Sequence, residues 1–158
     1  MIDLTEFESR AVPLRALGVV VSQNGTQLAR KLWDDACRRN VYSASKSFTS
    51  MAVGIAQKEG LLSIDEKLTD AFKNDLPEIV SDNLKAATVR DLLTMSCGHE
   101  TEINTFDVNE PDWIKNFLSH EFKYKPGTCF MYNTAGTNML CAALKRRTGE
   151  NLFEYLTP

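Results

Sequence analysis

The sequence predicts an α+β fold that begins with an antiparallel β-hairpin and continues as a mainly helical region. The dipeptide Asn24-Gly25 stands between two apolar-leaning runs, and such a pair is the strongest short signal for a hairpin turn. From Ser43 onward the apolar residues follow the helical period, and capping residues and glycines separate the segments. We therefore expect a single incomplete domain over residues 1–158, with the hairpin at 17–33 and the helical region at 43–158.

The composition is that of a globular protein without a nucleic-acid or membrane partner. The chain has 158 residues, of which 43% are hydrophobic and 25% charged. A formal net charge of −3 provides no basic surface for nucleic acid. No apolar run approaches the roughly 18 residues of a membrane-spanning helix. We accordingly predict neither kind of partner.

The start of the chain and its cysteines indicate a cytoplasmic protein without a metal or cofactor. The segment "MIDLTEFESRAVPLRALG" is acidic at its start and lacks the apolar run of a secretion signal. No two cysteines have the spacing of metal ligands, which leaves reduced thiols as the prediction for Cys37, Cys97, Cys129 and Cys141.

The hairpin is predicted to pair residues 17–23 with residues 26–33. Both central turn positions need positive φ, which Asn and Gly tolerate. A two-stranded hairpin is marginal unless further strands or helices cover its apolar face. We therefore expect the front part of a larger α+β protein. An uncovered sheet edge would be a surface for self-association.

The first long helix is predicted over residues 43–59, with Gly60 as its C-terminal cap. At 100° per residue, one sector of this helix is apolar and contains Ala44, Phe48, Met51, Ala52, Ile55 and Ala56. The opposite sector contains Ser43, Lys46, Ser47, Ser50 and Gly54.

Later helix boundaries are indicated by capping residues. Capping-box or N-cap positions are predicted at Ser63 with Glu66, at Thr88, at Pro111-Asp112, and at Asn151 with Glu154. The helix beginning "TAGTNML" is predicted to end at Gly149.

The tetrad Ser43-Ala44-Ser45-Lys46 is the first candidate for chemistry. Side chains at i and i+3 of a helix share one face, and a partly desolvated lysine can lose its proton and accept that of the serine. The helix N-terminus adds backbone N–H groups suited to an oxyanion. The alternative is an ordinary polar helix start, at which a serine is a cap. Four residues do not decide between the two.

Three segments in order carry a resemblance to a known family. They are "YSASKSFTSMAVGIAQKEGLLSIDEKL", "VRDLLTMSCGHE" and "KPGTCFMYNTAGTNMLCAALKRRTGENLFEYL". Together they resemble the β-lactamase-like branch of the serine β-lactamase and penicillin-binding-protein superfamily, which also contains esterases, carboxypeptidases and amide hydrolases. The resemblance runs from about Leu17 to the last residue. It implies a β-lactamase/transpeptidase-like fold, here lacking the later sheet strands.

The resemblance implies roles for three residues. Ser43 would be the acylated nucleophile, Lys46 its proton partner, and Tyr132 the general base. A phenol has an ordinary pKa near 10, and a neighbouring Lys46 would favour its phenolate form. Without the resemblance, Tyr132 would be interpreted as an amphipathic core residue after a turn.

The sequence departs from the family pattern in two places. The second motif of the family is often Tyr-x-Asn, whereas this chain has Tyr132-Asn133-Thr134. Asn133 and Thr134 are predicted to bind substrate, but the change weakens a true β-lactamase interpretation. The third motif, Lys- or His-x-Gly on a later strand, has only accidental matches at Lys58-Glu59-Gly60 and Lys125-Pro126-Gly127.

The sequence therefore predicts a serine hydrolase that acts through an acyl-enzyme on a small ester, amide or peptide substrate. The missing third motif would also remove an oxyanion donor, so we expect low activity from this chain itself. One alternative is a non-catalytic remnant or interaction module of the same fold. Another is a true β-lactamase or D-alanyl-D-alanine carboxypeptidase. Cys97 and His99 are assigned structural roles.

Overall fold

The computed structural model describes residues 2–35, 38–104 and 111–157. These residues belong to two compact units, Met1–Val41 and Tyr42–Pro158. That both units form one incomplete domain stays a prediction. Cys37, one of the four predicted reduced thiols, lies outside the described residues.

The first unit contains a helix that the sequence patterns did not predict. It consists of α1 (Thr5–Ala11), a 3-10 turn at Val12–Leu14, and strands β1 (Gly18–Gln23) and β2 (Thr26–Leu32). Trp33 links the helix to the end of the hairpin, because its Nε1 donates to Oε1 of Glu8 at 2.7 Å. Its ring also stacks on that of Phe7, with centroids 6.1 Å apart.

The predicted hairpin is confirmed. β1 and β2 pair antiparallel from Gly18–Leu32 to Gln23–Thr26, with an irregularity of register between Val21 and Ser22. Asn24 and Gly25 have φ of 50° and 78°, the two positive values that a type I′ turn requires. In the described parts of the chain, this two-stranded sheet is the only sheet.

The second unit is helical. Its elements are a 3-10 turn at Tyr42–Ala44, α2 (Ser45–Lys58), α3 (Leu68–Ala71), α4 (Asp82–Ala86), α5 (Val89–Leu93), α6 (Trp113–Ser119), α7 (Thr134–Thr148) and α8 (Leu152–Leu156). Together with the hairpin, these helices confirm the predicted α+β class. None of the helices within the described residues is long and apolar enough to cross a membrane.

Most predicted helix boundaries are confirmed by hydrogen bonds. The Asp91 carboxylate accepts from the backbone N–H of Thr88 at 2.8 Å, which closes the start of α5. Asp112 and Asn151 likewise cap α6 and α8, and Gly149 ends α7 with φ of 82°. α2 begins at Ser45, two residues later than predicted.

The capping-box prediction for Ser63 and Glu66 is wrong. No helix begins there: Oγ of Ser63 accepts from the backbone N–H of Asp65 at 3.2 Å in a local turn. The Glu66 carboxylate instead forms an ion pair with Arg147. A side-chain hydrogen bond within the turn thus competes with helix formation.

The core of the second unit lies where α2 and α5 pack on α7. Its largest fully buried side chains include Phe72, Phe117, Leu68, Leu84, Leu92, Leu118, Met139 and Leu144. The buried side of α2 carries only small residues, Thr49, Ala52, Val53 and Ala56, which allow close approach to a neighbouring helix. From the predicted apolar sector, Phe48, Met51 and Ile55 are exposed.

Candidate active site

Ser43 lies in the 3-10 turn that leads into α2. The preceding residue, Tyr42, has φ of 46°, a left-handed conformation that is strained for a side chain of this size. Such strain costs on the order of 1–3 kcal/mol and clusters at functional sites. The nearby Ser45 hydroxyl donates to the carbonyl of Tyr42 at 2.7 Å, so this serine fastens the turn. The Ser43 hydroxyl does not take part in this turn contact and is bound by Lys46 and Tyr132.

The three residues predicted to be catalytic meet at one oxygen atom. Nζ of Lys46 donates to Oγ of Ser43 at 3.1 Å, as their spacing across one helical turn allows. The phenolic O–H of Tyr132 donates to the same Oγ at 2.7 Å, across a separation of 89 residues. Packing of α2 against α7 places these distant segments together.

The surroundings of Tyr132 favour its phenolate form. The Lys46 ammonium and the Ser43 hydroxyl beside the phenolic oxygen lower the pKa of Tyr132 below its usual value. Nζ of Lys46 also lies 5.0 Å from the centroid of the tyrosine ring, within cation–π distance. The side chain is 43% exposed, so a substrate can reach it. The arrangement joins a hydroxyl, a cation and a titratable phenol.

Tyr132 is held by an extended segment that runs into α7. The backbone N–H of Met131 donates to the carbonyl of Met95 at 2.8 Å, just before the tyrosine. Just after it, Oδ1 of Asn133 accepts from the backbone N–H of Gly136 at 3.2 Å and caps α7. Asn133 is 1% exposed, and its Nδ2 has no hydrogen-bond partner among the described residues.

Thr134 follows at the first position of α7 and is half-buried. The structure therefore brings Ser43, Lys46 and Tyr132 together. The side-chain amide oxygen of Asn133 points toward the backbone N–H of Gly136 in α7. Substrate binding by Asn133 and Thr134 stays a prediction.

Glu102 is a site residue that the sequence analysis missed. Its Oε1 accepts from the backbone N–H of Thr134 at 3.0 Å. Hydrogen bonds from Thr134 lower the pKa of Glu102, with a smaller contribution from the charge of Lys46. Its segment has no periodic pattern, and its partner is a backbone group of a distant helix. No signal in the sequence alone could have identified this contact.

Cys97 and His99 form a buried pair apart from the reacting groups. Sγ of Cys97 lies 3.3 Å from Nδ1 of His99, whose ring packs against Phe117 and Phe122. Burial lowers the pKa of His99 to about 4 and raises that of Cys97 to about 11. Both groups are therefore neutral near pH 7, in agreement with the structural roles assigned to them. Within the described ranges, no three His, Cys, Asp or Glu side chains form a cluster that could hold a metal ion.

Solved structures with the same fold are similar to this chain. A beta-lactamase/D-alanine carboxypeptidase from Pseudomonas syringae matches with a TM-score of 0.77 and 20% identity, over 98% of this chain and 46% of that one. An octameric penicillin-binding protein homologue from Pyrococcus abyssi matches with a TM-score of 0.68 and 20% identity, over 96% of this chain and 40% of its own. A family VIII carboxylesterase matches with a TM-score of 0.56 and 22% identity, over 72% and 32%.

The chain thus spans about half the length of the solved structures it matches, or less. No curated protein matches it in sequence. The family model described as Beta-lactamase matches residues 8–157, which is nearly the whole chain and includes all of the site residues above. The chain therefore belongs to the beta-lactamase family.

Proposed function

We propose that this chain carries the nucleophile site of a serine hydrolase that acts on small esters, amides or peptides through an acyl-enzyme. One observation carries the proposal: Oγ of Ser43 receives hydrogen bonds from both Lys46 and Tyr132. A nucleophilic hydroxyl next to a group that can take its proton, itself oriented by a third group, is the general arrangement of covalent catalysis by serine.

In the proposed acylation, Tyr132 first loses the proton that it donates to Oγ in the resting site, and its phenolate then takes the proton of Ser43 while Lys46 stabilises the negative charge. Oγ then bonds to the substrate carbonyl carbon, the bond to the leaving group breaks, and the leaving group takes the proton from Tyr132. In deacylation Tyr132 takes a proton from water, whose oxygen bonds to the acyl carbon. The bond from that carbon to Oγ of Ser43 then breaks, and Oγ takes the proton from Tyr132. Backbone N–H groups at the start of α2 would help to stabilise the oxyanion.

Esters and simple amides are the substrates that we favour over β-lactams. The side-chain amide of Asn133 is buried and caps a helix, so it is poorly placed to bind the acylamino group of a β-lactam. A carboxylesterase among the similar structures supports this choice. A true β-lactamase or D-alanyl-D-alanine carboxypeptidase is the second candidate, supported by the similarity to a protein named for both activities.

Low turnover by the 158-residue chain is part of the proposal. It spans about half of the solved structures it matches, or less, and its sequence has no third motif on a strand. The alternative is a non-catalytic interaction module that self-associates. In support of that, each strand of the hairpin has a partner on only one side among the described residues. A cytoplasmic location stays a prediction.

A fluorophosphonate probe tests the nucleophile. We expect covalent labelling of the purified chain, loss of labelling in Ser43→Ala, and unchanged labelling in Ser47→Ala, which removes an exposed hydroxyl one turn further along. Labelling that persists in Ser43→Ala would refute the assignment of the nucleophile. An unlabelled chain that associates as its concentration rises would instead favour the interaction module. Turnover of a chromogenic ester and of a cephalosporin would then separate the two substrate classes.

A further inference from the structure

Residues 95–102, which follow α5, hold the Tyr132 segment through a series of contacts to its backbone. The backbone N–H of Gly127 donates to the carbonyl of Ser96 at 2.9 Å, and that of Met131 donates to the carbonyl of Met95 at 2.8 Å. Both of these bonds precede Tyr132. These two bonds fix the path of the backbone that leads to Tyr132.

A single side chain continues this series beyond Tyr132. The Glu102 carboxylate accepts from the backbone N–H of Thr134, two residues after the tyrosine, at 3.0 Å. The backbone that carries the phenol is therefore anchored on both sides by one segment, through Met95 before it and through Glu102 after it. Because the phenol is 43% exposed, packing alone does not fix its position over Ser43.

Charge gives Glu102 a second connection to the site. Among the described residues, the charged groups that act on the Tyr132 phenol are Lys46 from α2 and Glu102 from the segment after α5. The ammonium favours the phenolate, whereas the carboxylate opposes it. The same carboxylate is influenced in turn by the charge of Lys46. Glu102 thus belongs to the electrostatic surroundings of the reacting groups without contacting Ser43.

We propose that Glu102 is a positioning residue for Tyr132: its hydrogen bond to the Thr134 backbone holds the phenol over Ser43. This inference rests on the proposed function, in which Tyr132 exchanges a proton with Ser43. A helix cap with no other role would affect only the stability of α7.

Two substitutions separate position from charge. Glu102→Gln keeps an oxygen that accepts from Thr134 and removes the negative charge, whereas Glu102→Ala removes both. Glu100→Gln is the matched control, because Glu100 lies two residues away and binds Lys123 and Tyr124 instead. The titration of Tyr132 is followed by NMR in chain labelled with 13C-tyrosine, with Tyr132→Phe to assign its signal among the four tyrosines.

We expect the midpoint of the Tyr132 titration to move to lower pH in Glu102→Gln and to stay unchanged in Glu100→Gln. The pH profile of fluorophosphonate labelling at Ser43 should move in the same direction. Glu102→Ala should in addition slow labelling at every pH, by up to about 10²-fold, the cost of a misplacement of about 1 Å.

Labelling of Ser43 that is as fast in Glu102→Ala as in Glu102→Gln, each at its own optimal pH, would overturn the proposal and leave Glu102 as a helix cap. In a chain that no probe labels, a signal of the neutral Tyr132 phenol that Glu102→Ala displaces and Glu102→Gln does not would uphold the positioning role and refute the proposed function instead. Should Glu102→Ala fail to fold, Glu102→Asp, which keeps the charge on a side chain one methylene shorter, takes its place in both comparisons.

Discussion

Nζ of Lys46 lies 5.0 Å from the centroid of the Tyr132 ring, and both side chains donate hydrogen bonds to Oγ of Ser43. The cation therefore acts on the phenol and on the serine at once. The positive charge of Lys46 thus lowers the pKa of Tyr132, and titration of the phenol measures this effect directly.

The substitution Lys46→Gln should raise the pKa of Tyr132 toward its ordinary value. Lys46 is the largest cause of the present lowering, and glutamine supplies no positive charge. Phenolate absorbance in the ultraviolet, compared with that of a Tyr132→Phe background, gives the measurement. Lys58→Gln, at the last turn of α2, is the control and should leave the titration unchanged. Identical titrations in the two variants would contradict the assignment of Lys46 as the controlling charge.

Gly98→Ala should destabilise the fold. Gly98 has φ of 112°, and a Cβ at this position would lie 2.4 Å from the backbone oxygen of Tyr124. Side chains rarely adopt this backbone conformation, so we expect a loss of about 1–3 kcal/mol in the free energy of unfolding. Urea denaturation measures it.

The matched control for that substitution is Gly54→Ala. Gly54 lies within α2, where a Cβ would meet nothing within 4 Å. Alanine at an open helical position should raise the free energy of unfolding by about 0.5–1 kcal/mol. If both variants changed stability in the same direction, the close approach of Gly98 to Tyr124 would not be a constraint on the fold.

The stability of the second unit should fall as the pH is lowered from about 6.5 to 4. Burial lowers the pKa of His99 to about 4, so the unfolded chain binds a proton in this range that the folded chain does not. The stabilisation is therefore complete above pH 6.5 and lost as the pH falls toward 4. A shift of this size corresponds to on the order of 3 kcal/mol.

Urea denaturation at several pH values measures this loss. His99→Gln should remove most of the decrease between pH 6.5 and 4, because glutamine takes up no proton. His120→Gln changes an exposed histidine whose charge lowers the pKa of His99 less than burial does, so this variant should retain most of the decrease. A decrease of equal size in His99→Gln would attribute the acid sensitivity to the carboxylates instead.

Local signals in the sequence were sufficient for the hairpin and the longer helices. Asn24 and Gly25 tolerate the positive φ that their turn requires. Capping residues such as Asp112 act on backbone groups within four residues of chain. The short helices α3 and α4 were missed because four or five residues establish no period. The capping pattern of Ser63 failed because the same side chain stabilises a turn equally well.

The site was only partly predictable for a related reason. Ser43 and Lys46 are neighbours on one turn, so their spacing alone suggested contact. Tyr132 was found only through the family resemblance, since packing of α2 on α7 brings it to the serine. Glu102 was not found at all, because its partner is a backbone N–H with no residue identity to recognise. Contacts that depend on tertiary packing are not indicated by any local sequence pattern.

The left-handed backbone of Tyr42 places a strained residue directly before Ser43. Glycine would adopt the same φ of 46° without the steric cost that tyrosine bears. A substitution to glycine would therefore relieve strain in the backbone immediately before Ser43. If the strain serves the reaction, Tyr42→Gly should leave the side chains of the site in place and still slow labelling of Ser43.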